Sequence, residues 1–336
     1  MDLDTFMTVL YCLIDDWYKA NVRIDEANRL GRRPRMNDAE ILTLMIAGQW
    51  RVGVPWRSER GLVRHMLMSG LTWFPTMLRR SQFNRRARQV WQELVLLQQE
   101  LGQMLSEAAL YEVVDCTPLP HCSLGQAISH DRHWLSGKKG RGGNHGGWFF
   151  GEQLLLCASD SGVITGWMIG LANIDDRWML EALLSSRQGQ MRLIEPPLPK
   201  HRTYRHRHIP DPGTFSPAIT AGRERGLPLL ADGGFSGKRR INHWRVQYGV
   251  EVIAPRASNI KGDKPGKLMY GLRKRRQIIE TAFARLTQTF DLHRVNAHSE
   301  DGMLARVAAK MAAYNVGVLF NRQCGRPDGA MATLIH

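Results

Sequence analysis

The chain has 336 residues, 43% of them hydrophobic, which excludes wholesale disorder and, at roughly 100–200 residues per domain, suggests two domains. Lys and Arg number 46 against 31 Asp and Glu, a net charge of +15 with a pI near 10.1; such a surplus attracts polyanions, of which nucleic acid is the commonest in a cell. Five scattered cysteines with no C-x-x-C pair exclude a disulfide framework and a Cys-rich zinc module, and no unbroken apolar run reaches the ~18–20 residues that cross a bilayer.

The acidic start Met1-Asp2-Leu3-Asp4 does not read as a secretory signal, so a cytoplasmic, reducing location is expected. Residues 1–110 read as helical. Leu3, Phe6, Leu10, Leu13 and Trp17 recur at helical steps. Asn37 stands three residues before Glu40, ahead of an apolar run, in the pattern of a capping box. A further helical run covers about Leu78 to Leu105, with Arg79, Arg80, Arg85, Arg86 and Arg88 crowding its start. A small basic helical domain of this kind suits docking on a duplex, although a charged face bathed in water explains the same pattern.

At residue 111 the period changes. Tyr111–Asp115, Glu152–Ser159 and Val163–Ile169 are strand candidates, the last two joined by the turn Ser159-Asp160-Ser161-Gly162. A helix over Asp175–Ser185 follows, then a Pro- and His-rich insertion at 189–225. Beyond it come a strand over Leu227–Ala231, a helix over Lys238–Tyr248, a strand over Val250–Ala254, and helices over about Tyr270–Phe290 and Gly302–Asn321. Three strands, two of them a hairpin, followed by strands alternating with helices predict an α/β fold. Its centre is a ribonuclease H-like (RNase H-like) mixed sheet flanked by helices over 111–325, behind an all-helical N-terminal region.

Functional side chains on such sheets gather where strands end. Asp115 closes the first predicted strand and Asp232 the fourth, each costly beside a core unless paired, capped or metal-bound. Taken singly, each also fits a turn. Glu280 shares a helical face with Arg273 and Arg276. That helix carries four consecutive cations where the macrodipole is already positive, an arrangement that suits a bound phosphate backbone. Three converging carboxylates bind two Mg²⁺ or Mn²⁺ ions through hard oxygens and drive in-line phosphoryl transfer. Lys138, Lys139 and Arg141, set among glycines, read as a flexible basic loop for backbone phosphates. His201, His206 and His208 match no zinc template, Trp134, Trp148 and Trp167 read as core, and no Walker-type loop indicates ATP.

Taken together, several segments resemble bacterial insertion-sequence transposases of the DDE type, most closely the 982 group. They are Val113-Val114-Asp115-Cys116-Thr117-Pro118-Leu119-Pro120, Gly147-Trp148-Phe149-Phe150-Gly151, Asn173-Ile174-Asp175-Asp176-Arg177, Ala231-Asp232-Gly233-Gly234-Phe235 and Arg275-Arg276-Gln277-Ile278-Ile279-Glu280-Thr281. The resemblance implies that Asp115, Asp232 and Glu280 are a catalytic, metal-binding triad with two Mg²⁺ or Mn²⁺ ions. It implies cleavage of element ends, joining of the 3′-hydroxyl to double-stranded target DNA, a homodimer on DNA, and a nucleoid-associated place in a bacterial cytoplasm. Related groups carry Tyr, Arg and Lys at fixed offsets around the glutamate; here those offsets hold Arg273, Arg276 and Thr287. A nuclease of the same fold that cuts without joining, and a non-enzymatic DNA-binding protein derived from a transposase, are the alternatives.

Overall fold

The structure is a computed structural model that describes residues 1–22, 34–69, 73–123, 137–142, 147–188, 226–255 and 267–336. By contacts the chain gathers into two units: Met1–Gln98 with Arg285–His336, and Gln99–Ala284.

The first unit is helical among its described residues. It holds α1 (Leu3–Asn21), α2 (Asp38–Ala47), α3 (Glu59–Met68), α4 (Arg80–Ala87), the start of α5 (Trp91–Leu105), the end of α8 (Lys267–Phe290) and α9 (Glu300–Gln323). The apolar stripe of α1 buries Phe6, Leu10, Ile14 and Trp17. The capping box forms as the sequence indicates: Glu40 donates its backbone N–H to Asn37 Oδ1 at 2.7 Å, and the Asn37 N–H reaches Glu40 Oε2 at 2.7 Å. Asp38 ties three helices, accepting from the Tyr18 hydroxyl at 2.8 Å and from Arg86. The expected single helix over 78–105 is two. Its chain turns at Arg88–Val90, where the Gln89 N–H bonds Arg86 O at 2.8 Å; like charges crowded on α4 weaken an unbroken helix there. Trp50, fully buried, packs edge-on against Phe6 and Phe290 at 4.9 and 5.0 Å. By mean hydropathy α9 is long and apolar enough to cross a membrane, but 94% of its apolar window is buried inside the protein, as in a core helix.

The second unit is built on a six-stranded mixed sheet. The strands are β1 (Glu112–Ser123), β2 (Lys138–Arg141), β3 (Trp148–Ser159), β4 (Ile164–Leu171), β5 (Leu229–Leu230) and β6 (Val252–Ile253). β3 runs antiparallel to β1 on one side and to both β2 and β4 on the other, while β1, β5 and β6 are parallel neighbours in that order. Helices α6 (Asp176–Arg187) and α7 (Lys238–Tyr248) fill the crossovers. This is the expected ribonuclease H-like order with β2 added. The hairpin strands are apolar, with Leu154, Leu155, Leu156, Trp167 and Ile169 buried. Gly249 adopts φ +66° to end α7 with a left-handed cap.

Two local expectations need correction. The basic segment Lys138–Arg141 is not a free loop but strand β2, laddered against Trp148–Gly151. Trp148 is not core: it is 56% exposed, and Lys139 Nζ lies 4.3 Å above its ring. The aromatic face offers a cation a partner that its own strand position provides. Trp167 is buried as read. Trp134, the three histidines and the whole 189–225 insertion lie outside the described residues.

Candidate active site

β1 is longer than its apolar start suggested. It continues to Ser123, so Asp115 sits inside the strand rather than at its end. The neighbour explains why Asp115 nevertheless occupies a strand-end site. Of β1, β5 pairs only with Glu112 and Val113, in the register Glu112↔Leu229 and Val113↔Leu230. Carried two residues on, that register sets Asp115 level with Asp232, where the chain leaves β5. Past Val113 the β5 side of β1 has no strand among the described residues, and there the chain accommodates Pro118 and Pro120.

Asp232 caps the 3₁₀ turn Gly233–Phe235, its Oδ1 accepting from the Gly234 N–H at 2.8 Å. The turn expected of Asp-Gly-Gly and the sheet-end carboxylate are thus one feature. Asp115 Oδ1 accepts from the Cys116 N–H at 2.8 Å, and its Oδ2 stands 3.5 Å from Arg276 Nη2 of α8. Burial, with repulsion from Asp232 and Asp176, pushes the Asp115 carboxyl up to about 6 against the pull of Cys116 and Arg276.

Asp176 is the carboxylate that sequence reasoning missed. It opens α6, behind the capping residue Asp175, and accepts from Gln153 of β3. Burial raises its proton affinity, and Asp232 adds to the rise. Burial also lifts the Cys116 thiol far above its ordinary range, with Asp176 pressing it further. The signal lay in the acidic doublet Asp175-Asp176. Asp175 is satisfied locally, bound by the Arg177 backbone and guanidinium at 2.9 and 2.8 Å, which leaves Asp176 for the sheet.

Three aspartates therefore act on one another, with one guanidinium against them. Glu280 follows Arg276 by four residues on α8 and is exposed. Among the described residues, no three His, Cys, Asp or Glu side chains gather closely enough to hold a metal ion. In donor chemistry the residues fit a hard divalent cation: the groups are carboxylate oxygens, and the repulsion that raises Asp115 is what a cation relieves. In this arrangement Arg276 provides part of that relief. Arg273 stands one turn before Arg276, with its side chain outside the described residues. Lys138, Lys139 and Arg141 are exposed along β2.

No curated protein and no solved structure matches the chain significantly. Residues 211–316, which carry Asp232, Arg276 and Glu280, match the family model described as the transposase DDE domain, and this part of the chain is similar to that family.

Proposed function

We propose that the protein is a DDE transposase of the 982 type that cuts the ends of its own element and joins the freed 3′-hydroxyl to target DNA. The observation that supports it best is the parallel β1–β5 register. Carried two residues on, it brings Asp115 level with Asp232, residues remote in sequence, at the end of β5 in the middle of a mixed sheet. In this reading Asp115 and Asp232 hold divalent cations and Glu280 supplies the third oxygen donor. Bound as a pair, Mg²⁺ or Mn²⁺ ions activate the attacking oxygen and stabilise the leaving one.

The chain's own groups do the rest. Arg276, 3.5 Å from Asp115, offsets part of the repulsion on that carboxylate before a cation arrives and afterwards turns to a substrate phosphate. Arg273 extends that contact along the same helix. Lys138, Lys139 and Arg141 on β2 track the backbone. The N-terminal helices, residues 1–110 in the division by secondary structure, hold the duplex for a core spanning 111–325. A homodimer brings two ends together, at the bacterial nucleoid.

The test is incubation of duplexes bearing the element's ends with and without Mg²⁺, then of pre-cleaved ends with a target plasmid. Metal-dependent nicking and joined products are expected. Hydrolysis without joining would assign a nuclease, and retention of DNA without either product a binding protein.

A further inference from the structure

The first unit holds a second concentration of charge that the catalytic reading leaves unused. A cavity of about 310 Å³ opens between the end of α2, the start of α3, α4, the segment 291–298 and α9. Seven Arg and Lys side chains line it against two carboxylates, Glu59 and Asp291. The floor is made by Arg51, Arg306 and Lys310. Lys310 is 1% exposed and donates to Phe290 O. Arg51 donates to the carbonyls of Trp50, at 2.9 Å, and Gly48, while its Nε has no partner among the described residues. Arg306 is held by Asn296 O at 2.9 Å and Glu59 Oε2 at 3.2 Å.

Carbonyls thus fix Lys310 and Arg51 in place without neutralising them, while Arg306 shares the carboxylate of Glu59. Burial and their crowding both act on the ammonium of Lys310. Burial, with Arg51 and Arg306 against it and only Asp291 in its favour, brings it down to about 7. Arg57, Arg60 and Arg294 stand exposed around the mouth. A fold that merely tolerated buried cations would pair each with a carboxylate. One that leaves Lys310 and Arg51 without a carboxylate partner among the described residues, facing a common cavity, is built for an anion, and arginine forks match phosphate oxygens two at a time.

We propose that this cavity is a phosphate-binding site, and that the phosphate it takes is a phosphodiester of a DNA backbone. Preference for phosphate follows from the cavity alone; its assignment to DNA rests on the transposase reading. The site differs from the carboxylate centre in residues and in charge. It would fix the duplex by its backbone, a contact that sets position and carries no base sequence.

The experiment compares the full chain with R60Q/R294Q, two exposed side chains whose loss leaves the floor intact. Melting is followed with inorganic phosphate against chloride at equal ionic strength. Binding of a labelled duplex is followed by anisotropy across a salt series. The expected results are a saturable rise in Tm with phosphate that the variant loses, duplex binding weakened at least about tenfold, and a log–log salt slope flatter by about 2. Identical responses to phosphate and chloride, or a full response in the variant, would overturn the site. Phosphate stabilisation with duplex binding unchanged in the variant would overturn its assignment to DNA. A wild-type chain that binds no duplex yet is stabilised by phosphate would remove the transposase reading and leave the anion site standing.

Discussion

Asp115 holds its proton more tightly than a solvated carboxylate because it is partly buried among other aspartates. Two consequences follow from that one placement. Asp115→Asn should lower metal-dependent cleavage on the order of 10³-fold, the scale on which removing one preorganised electrostatic group lowers a rate. It should also stabilise the fold. With a folded value of about 6 and an unfolded one near 3.8, the folded state binds the proton better, so the ionised form is penalised fully above pH 6 and not at all below about 4. The variant should gain about 1–3 kcal/mol at pH 8 after allowance for partial exposure. That gain should shrink at pH 5, as read from melting curves. Equal gains at both pH values would remove the electrostatic account. Lys310 works with the opposite charge. It faces Arg51, Arg306 and Asp291, and its folded value of about 7 lies below the ordinary 10.5. Stability should therefore rise between pH 7 and 10.5, where only the unfolded chain keeps the proton. Lys310→Met should flatten that rise in a pH series of urea midpoints.

At the scale of elements, the sheet is fastened to α6 by one buried ion pair. Glu112 of β1 accepts from Arg187 of α6 at 2.7 and 2.9 Å, and from Thr165 of β4. Both members are under 10% exposed. Removing one partner leaves a buried charge alone, so Arg187→Met should cost about 3–5 kcal/mol, while Glu112→Leu with Arg187→Met should recover most of that loss. Urea midpoints of the three variants test it; a double variant no better than the single would show that packing, not charge, dominates. The pair was not legible in the sequence. Glu112 read only as part of a β-rich run, and Arg187 lay beyond the predicted end of its helix. What was legible were apolar runs beside a turn and helical periods. The hairpin β3–β4 appears around the turn at 159–162, with β3 starting four residues before the expected Glu152, and helix α7 appears where helical spacing puts it. The strand β2 was not, because Lys138-Lys139-Gly140-Arg141 carries no apolar pattern and its ladder with β3 is a tertiary event. The length of β1 was hidden for a related reason: two prolines, tolerated beside an open strand side, look from the sequence like a stop.

At the scale of the molecule, the sheet order could be read because each crossover follows its strand in sequence. Asp115 and Asp232 were found by that order, since both follow apolar runs. Asp176 was not, because an acidic doublet at a helix start is fully explained by capping and dipole alone. Glu280 keeps its place on the Arg276 face, but among the described residues it joins no cluster of three side chains that could hold a metal ion.

The packing of α9 with the N-terminal helices had no local trace either, for it joins residues some three hundred positions apart. Its composition shows the consequence. Ala308, Ala309, Ala312, Ala313 and Gly317 stand among larger buried residues, and apolar positions cover every side of the helix rather than one stripe. Small side chains let neighbours approach closely all round, which is why a helix hydropathic enough for a bilayer is used up inside the protein. Amide exchange should reveal this directly. Hydrogen bonds enclosed on all sides open only when the unit as a whole opens, whereas those on a helix with one buried face open locally. Peptides covering 303–320 should keep their protons longest in the first unit. Those of α3, where only Leu62, Val63 and Met66 are buried and Met68 is 77% exposed, should lose theirs orders of magnitude sooner. Comparable rates in the two helices would mean that α9 is not the shared core of its unit.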